Sequence, residues 1–284
     1  DATHPKPYVE GKDIGRGFIE TLRYLEYGEG TRNPAMVMEP RFPEMFENEK
    51  LLFGKTSGVY WDRDGLWCDQ SARVAVPFYR FSGEEARSVH EQLQRAEIEL
   101  SKRYALGYLS AVCQSRLIAY YLVTFSTDVR DRTPETIKSI PIRRIEFTTS
   151  LRERARFAEA GQYLYSQYLK TGDWDHLLAW VKKRFTQIKK WDTGEIVHPE
   201  QADVVHDLLA HLAERMIEMH QQKQAEVKGF LGWLADYTGR PVDDWVLKTN
   251  LRRYYEHDWA EMQRILKRNQ RKLPKVDLDV DAYR

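Results

Sequence analysis

The apolar positions of the chain change rhythm near residue 150. Before that point they come as short runs set between glycines, prolines and polar clusters, such as Leu51-Leu52-Phe53 and Val74-Ala75-Val76. Runs of this kind predict strands punctuated by turns, and Asp64-Gly65 predicts a tight turn between Val59-Tyr60-Trp61 and Leu66-Trp67-Cys68. Ser82-Gly83-Glu84-Glu85 has capping-box spacing and predicts the start of a helix carrying Ala86, Val89 and Leu93. Leu106, Leu109, Cys113, Leu117 and Tyr120 recur at three- and four-residue steps, the spacing of one further helix. Residues 124–146 return to loop and strand, ending at Ile140-Pro141-Ile142.

From about residue 150 the period is helical throughout. One helix is predicted over roughly 150–170, and Asp173 can cap another carrying Leu177, Leu178, Val181, Phe185 and Ile188. Pro199 suits the first turn of a long helix. Its stripe runs Val205, Leu208, Leu212, Met216, Met219, Val227, Phe230 and Leu234, until Gly239-Arg240-Pro241 stops it. A last helix near 256–269 carries Trp259, Met262 and Leu266. The expected fold class is α+β, with a mixed α/β domain over residues 1–148 and an all-helical domain with a long helix over 149–284.

Composition narrows the class. Charged residues make up 31% and hydrophobic residues 42%, the balance of a globular chain. No apolar run approaches the roughly 18 residues of a membrane span, and the first apolar cluster is interrupted by Lys6, Glu10, Lys12 and Asp13, unlike a signal peptide. A cytoplasmic protein without a membrane partner is expected. Only Cys68 and Cys113 are cysteines, which implies neither a disulfide framework nor a cysteine-rich metal site. The net charge is +1; residues 1–150 hold 21 basic and 22 acidic side chains, which leaves 23 and 21 of the totals of 44 and 43 for the rest. Neither half is basic overall, which argues against a uniformly basic nucleic-acid binder; affinity for DNA, if present, must come from local patches or from a partner domain. The chain opens at Asp1 without an initiator methionine, as a piece of a longer polypeptide would, though processing or tag removal would look the same.

Catalytic chemistry is hard to place in this chain. An adenine methyltransferase uses a turn such as Asn-Pro-Pro-Tyr against the flipped base, whereas Asn33-Pro34-Ala35-Met36 lacks the second proline and the ring. Gly28-Glu29-Gly30 has no clear following helix, so a Gly-rich cofactor turn is missing. The trios Glu10-Gly11-Lys12 and Glu226-Val227-Lys228 read as surface charge rather than a nuclease centre. His206 and His211 are five apart, off the shared face of an i,i+4 pair, and read as exposed helical histidines. No catalytic residue, metal ligand or bound cofactor is expected.

What stands out is polar loops and clustered base. Gly54-Lys55-Thr56-Ser57-Gly58 follows a strand and joins a lysine and two hydroxyls to glycines that permit close approach, so Lys55, Thr56 and Ser57 can reach a phosphate or a base edge. An ordinary hairpin loop has the same composition. Arg63 and the Arg130/Arg132 loop are secondary candidates for base contact. In the helical half, Lys182, Lys183, Lys189 and Lys190 are expected on one helix, with Lys183 and Lys190 sharing a face; Lys267 and Arg271 lie in the last basic stretch. A solvated surface is the plain alternative for both stretches.

Four segments in order resemble the TaqI-like C-terminal specificity domain of adenine-specific DNA methyltransferases of type II restriction–modification systems. Pro7-Tyr8-Val9-Glu10-Gly11-Lys12-Asp13-Ile14 resembles its first strand, and Phe42-Pro43 with Glu49-Lys50-Leu51-Leu52-Phe53 the strand leading to its recognition loop. Tyr104 to Val112 followed by Ser115 to Tyr121 is similar to its Leu-Asn-Ser-x-Leu-Ile helix, and Ile137-Lys138-Ser139-Ile140-Pro141-Ile142 to its closing strand. Where that family has an Asn-Ser pair this chain has Gln114-Ser115, so the contact of that asparagine does not carry over. The stretch from Phe230 to Asn269 resembles the tail found after this domain in large methyltransferase polypeptides. The resemblance implies a non-catalytic module that reads double-stranded DNA. It also implies an N-terminal methyltransferase domain of the same polypeptide, which binds S-adenosylmethionine, in a restriction–modification or phage-defence system. The alternative is a helical scaffold that binds protein partners in a phage-defence complex, with incidental DNA contact; an unrelated enzyme is a third reading.

Overall fold

The computed structural model describes residues 4–27, 43–55, 58–81, 94–125, 132–194 and 196–273. Its first strands are β1 (Lys6–Val9), β2 (Arg23–Leu25), β3 (Lys50–Phe53), β4 (Val59–Asp62), β5 (Trp67–Cys68) and β6 (Arg73–Ala75). They make two three-stranded sheets, β2-β1-β5 and β4-β3-β6. In the first, β1 pairs antiparallel with β2 and parallel with β5; in the second, β3 pairs antiparallel with both neighbours, with Leu52 opposite Tyr60 and Val74.

Every residue of β3 and β4 is buried. Successive side chains of a strand point to opposite faces. Leu52 and Tyr60 accordingly pack with Val9, Ile14 and Leu66 in one core, while Leu51, Phe53, Val59 and Trp61 pack in another with Leu106, Cys113, Ile118 and Leu122. Two covered faces explain why Leu51-Leu52-Phe53 is an unbroken apolar run rather than an alternating one. The expected hairpin across Asp64-Gly65 does not form: β4 and β5 lie in different sheets, and the Asp62 carboxylate instead accepts the Asp64 and Leu66 amides, each at 2.9 Å.

The helices are α1 (Glu44–Glu47), α2 (Arg95–Ser101), α3 (Leu106–Gln114), α4 (Arg116–Phe125), α5 (Pro134–Lys138), α6 (Leu151–Thr171), α7 (Asp175–Arg184), α8 (Ala202–Thr238), α9 (Lys248–Arg252) and α10 (Trp259–Asn269). The single helix expected from Leu106 to Tyr120 is two. Ser115 is extended, at φ −64° and ψ 152°, and its hydroxyl accepts the Ile118 amide at 3.2 Å, capping α4. The break turns the stripe, so Ile118 and Leu122 are buried while Leu117 is 73% exposed and Tyr120 66%. Gly107 lies where a Cβ would stand 2.7 Å from the Trp61 ring, which sets α3 close upon β4. The helix predicted to begin at Ser82 lies outside the described residues. Within 124–146, expected as loop and strand, Thr133 caps α5 and Pro134 occupies its first turn.

The chain divides into two compact units, residues 1–217 and 218–284. The boundary expected after residue 148 therefore falls inside α8. Polar ties explain the shift: Thr149 donates to Asp203 through both amide and hydroxyl at 2.8 Å, and Arg154 grips Asp207 with two nitrogens, Nε at 2.9 Å. The second half is not purely helical either, because β7 (Ile188–Lys189) and β8 (Ile196–His198) form an antiparallel hairpin between α7 and α8. On α8, Val205 and Leu208 are buried as expected, but Met216 and Met219 are nearly half exposed, and Ala213 and Ile217 face the core instead.

The second unit is built by itself around Leu234, Trp245, Leu251, Ile265, Leu266 and Leu273. Asn269 is buried with it; its amide nitrogen donates to the Val246 carbonyl at 3.0 Å and its oxygen accepts the Val246 amide at 2.8 Å. α8 stops where Gly239-Arg240-Pro241 was expected to stop it, and Gly239 takes the left-handed conformation, at φ +65°. Among the described residues no helix is long and apolar enough to cross a membrane.

Candidate functional site

Two of the loops singled out in the sequence meet at one end of the β3–β4 pair. Phe53 and Val59 are opposed, and the Gly54 amide donates to the Gly58 carbonyl at 2.9 Å, closing a five-residue loop. Against it runs the segment leading to α5. The Arg132 amide donates to the Lys55 carbonyl and the Arg132 guanidinium to the Gly58 carbonyl, both at 3.2 Å. From the other side comes Gly15-Arg16-Gly17, where the Gly17 amide donates to the Val59 carbonyl at 2.9 Å and Arg16 bridges Val59 in parallel.

The three cations here differ in role. Lys55 is exposed, and among the described residues its ammonium has no ion-pair partner. Arg132 is half-buried; burial holds its guanidinium below the ordinary value, and the charge of Arg16 pushes in the same direction. An arginine whose hydrogen bond closes a loop of its own chain is a support for that loop. Arg16 is exposed on the rim and was not among the residues that the sequence singled out. The Gly-Arg-Gly tripeptide was the available signal, because Gly17 adopts φ +76°, a conformation that glycine takes readily. Cys113 lies behind, its thiol pushed up to about 11 by burial.

The glycines of the loop serve a different purpose from the expected one. A Cβ on Gly58 would stand 1.7 Å from the Ile14 carbonyl oxygen, so it is the chain's own backbone that approaches closely. We expect Gly58→Ala to cost about 1–3 kcal/mol or more, because backbone cannot give way as a side-chain tip can. Urea unfolding of the variant checks this, and an unchanged midpoint would show that the loop has room.

The remaining candidates disperse. Thr56, Ser57 and Arg130 lie outside the described residues. Arg63 stands at the opposite end of β4, about 13 Å along the strand from Val59. It is held there by Glu214 at 3.0 Å and by the Trp61 ring, 3.7 Å below its guanidinium, and so does not join Lys55 and Arg132. Lys183 and Lys190 are both exposed but do not share a helix face, since α7 ends at Arg184 and the chain re-forms as β7. The β-branched Thr186 and Ile188 lose side-chain freedom in a helix and so disfavour its continuation. Lys267 on α10 and Arg271 just beyond it are exposed in the second unit.

One reading of the histidines is overturned. His206 is 2% exposed, not a surface residue. Its Nε2 accepts the Ala105 amide at 3.0 Å, its Nδ1 lies 2.8 Å from Asp207, and the rings of Tyr104, Tyr108 and Phe147 surround it. Among the described residues no group of three or more His, Cys, Asp or Glu side chains could hold a metal ion. No known family model, curated protein or solved structure matches the chain.

Proposed function

We propose that the chain is the sequence-recognition part of an adenine-specific DNA methyltransferase of a restriction–modification or phage-defence system. In this reading it binds double-stranded DNA and performs no chemistry itself, and methyl transfer from S-adenosylmethionine belongs to another part of the polypeptide. The observation that carries the reading is the meeting of the 54–58 loop, the Arg132 segment and Arg16 on one rim, with Lys55 and Arg16 turned to solvent. Lysine and arginine donate to guanine acceptors and to phosphates alike, and a loop braced from two sides holds such donors in a fixed register.

Selection from a randomised duplex library tests this directly. A consensus should emerge, with affinity that falls steeply as salt rises. On the selected site, Lys55→Ala should lose about 1–3 kcal/mol while random duplex is affected little. Lys183→Ala and Lys190→Ala should weaken both duplexes alike and flatten the log–log salt slope by roughly one unit for each phosphate no longer neutralised. If no consensus emerges, the chain does not read sequence. A second reading, a protein-interaction module, is favoured by the exposed apolar row of Leu117, Tyr120 and Val123 on α4. It predicts binding without a consensus, or none.

A further inference from the structure

Trp191 is 97% exposed, more than any other large hydrophobic side chain described. It stands at the tip of the β7–β8 hairpin, where the Gly194 amide donates to the Lys190 carbonyl at 2.9 Å and Gly194 takes φ +69°. The base of the hairpin is clamped twice. Arg184, at the end of α7, donates to the Gln201 side chain at 2.6 Å while its carbonyl accepts the Gln201 amide at 2.8 Å. Arg143 holds Glu200 through two contacts of 2.6 and 2.7 Å and lies over the Phe185 ring at 5.1 Å. The fold thus fixes a short finger at its root and presents a bare indole at its end. Large aromatic rings carry a heavy penalty for contact with water, so an indole held out in this way is suited to a partner that covers it.

Charge identifies that partner. From Lys182 to Glu195, a stretch that includes Trp191, the chain carries five basic residues against two acidic ones, Asp192 and Glu195, and so stays basic on balance. Cations beside an exposed ring match nucleic acid, whose phosphates meet the lysines while a base meets the ring face. We propose that Trp191 stacks on a nucleobase of the DNA that this chain binds, with the hairpin entering at an unstacked base step. This rests on the DNA-binding reading above and adds a contact that Lys183 and Lys190 alone do not supply. A stacking wedge needs a deformable step, which pyrimidine–purine steps provide.

The test uses the full chain with a mixed-sequence duplex and a single-stranded oligonucleotide as probes. The chain has eight tryptophans, so the difference between wild-type and Trp191→Phe emission isolates the fluorescence of Trp191. On saturation with DNA that difference signal should be quenched by more than half and become protected from acrylamide. Trp191→Ala should bind about tenfold more weakly, and Trp191→Phe should recover part of the loss. Both variants should keep the wild-type urea midpoint, since the side chain touches almost nothing. Salt-sensitive DNA binding with an unchanged difference signal and undiminished affinity of Trp191→Ala would overturn the proposal and leave the DNA-binding reading intact. Absence of DNA binding by the wild type would end both. Quenching on vesicles of anionic phospholipid, without quenching on DNA, would assign the indole to a lipid surface and overturn it as well.

Discussion

Replacing Asp62 by leucine is expected to destabilise the first unit by about 3–5 kcal/mol, which is much of the typical 5–15 kcal/mol stability of a domain. Asp62 and Lys50 face each other across β3 and β4, both 0% exposed, and form a buried ion pair. Alternation places them on the same face as Leu52 and Tyr60, within the core between the sheets. The Lys50 ammonium also donates to the Phe46 carbonyl and, at 3.3 Å, to that of Asn48. Burial holds Lys50 below its ordinary value while the Asp62 charge pulls it back up. Losing the carboxylate leaves a buried ammonium with only carbonyl partners, and it also orphans the Asp64 and Leu66 amides. Lys50→Met should cost less, because the Asp62 carboxylate keeps those two amide donors. The double variant should recover part of the Asp62→Leu loss, with the orphaned amides accounting for the remainder. Urea unfolding measures all three. The Cys68 thiol, pushed up to about 12 by burial, supplies a second readout: alkylation should be slow in the wild type and accelerate in Asp62→Leu. Equal losses from the two single variants would show that the amide contacts contribute nothing.

That pair also shows where reading from sequence runs out. Leu51-Leu52-Phe53 and Val74-Ala75 announced strands because their apolar runs are local signals. The charged ends of β3 and β4 gave no hint of burial, since lysine and aspartate are ordinarily surface residues and only the strand register opposes them. Helices α6 and α10 were legible from their period; the structure adds their caps, Ser150 accepting the Glu153 amide and Asp258 that of Glu261. The Ser115 break was not, because a three- and four-residue spacing runs through it unchanged and only the capping hydroxyl reveals it. The hairpin after Arg184 was hidden in the same way, as Phe185 and Ile188 continue the α7 stripe on paper.

The candidate site was legible in part. Lys55 and Arg132 could be nominated one at a time from loop composition, but 77 residues separate them, and only the folded chain puts the Arg132 amide on the Lys55 carbonyl. Composition also could not distinguish a reader from a brace. Arg132 reads in sequence like Lys55, yet its guanidinium is committed to Gly58. Arg63 is likewise committed, to Glu214 across 151 positions of sequence. Trp191 gave no signal, because an exposed tryptophan and a core tryptophan look the same in a sequence.

His206→Ala is expected to cost about 3–5 kcal/mol, as loss of a large buried ring does. The ring lies 4.6 Å from Tyr108, centroid to centroid, and meets Tyr104 and Phe147 edge-on at 5.9 and 5.2 Å. Because the Ala105 amide donates to Nε2, that nitrogen carries no proton; Nδ1 carries it and donates to Asp207. Ala105 is the N-cap of α3, so the histidine fixes the start of the helix whose Gly107 abuts Trp61 of β4, the strand that leaves the Gly58 loop. His206→Phe separates the two contributions: it keeps the ring volume and loses both hydrogen bonds, for an expected cost of about 1–3 kcal/mol. Asp207 adds a pH signature. Burial pushes its carboxyl up, but hydrogen bonds from His206 and Arg154 outweigh burial and hold it below the ordinary 3.8. A carboxyl lowered in the folded state contributes stability that is complete above its unfolded value and disappears as pH falls through its folded one. Wild type and Asp207→Asn should therefore differ at pH 7 and converge in acid below 3.8. Urea unfolding at several pH values, with native-state hydrogen exchange of the β4 amides, follows both effects. If His206→Phe matched the wild type at pH 7 and the β4 amides exchanged no faster in His206→Ala, the ring would be filling space and nothing more.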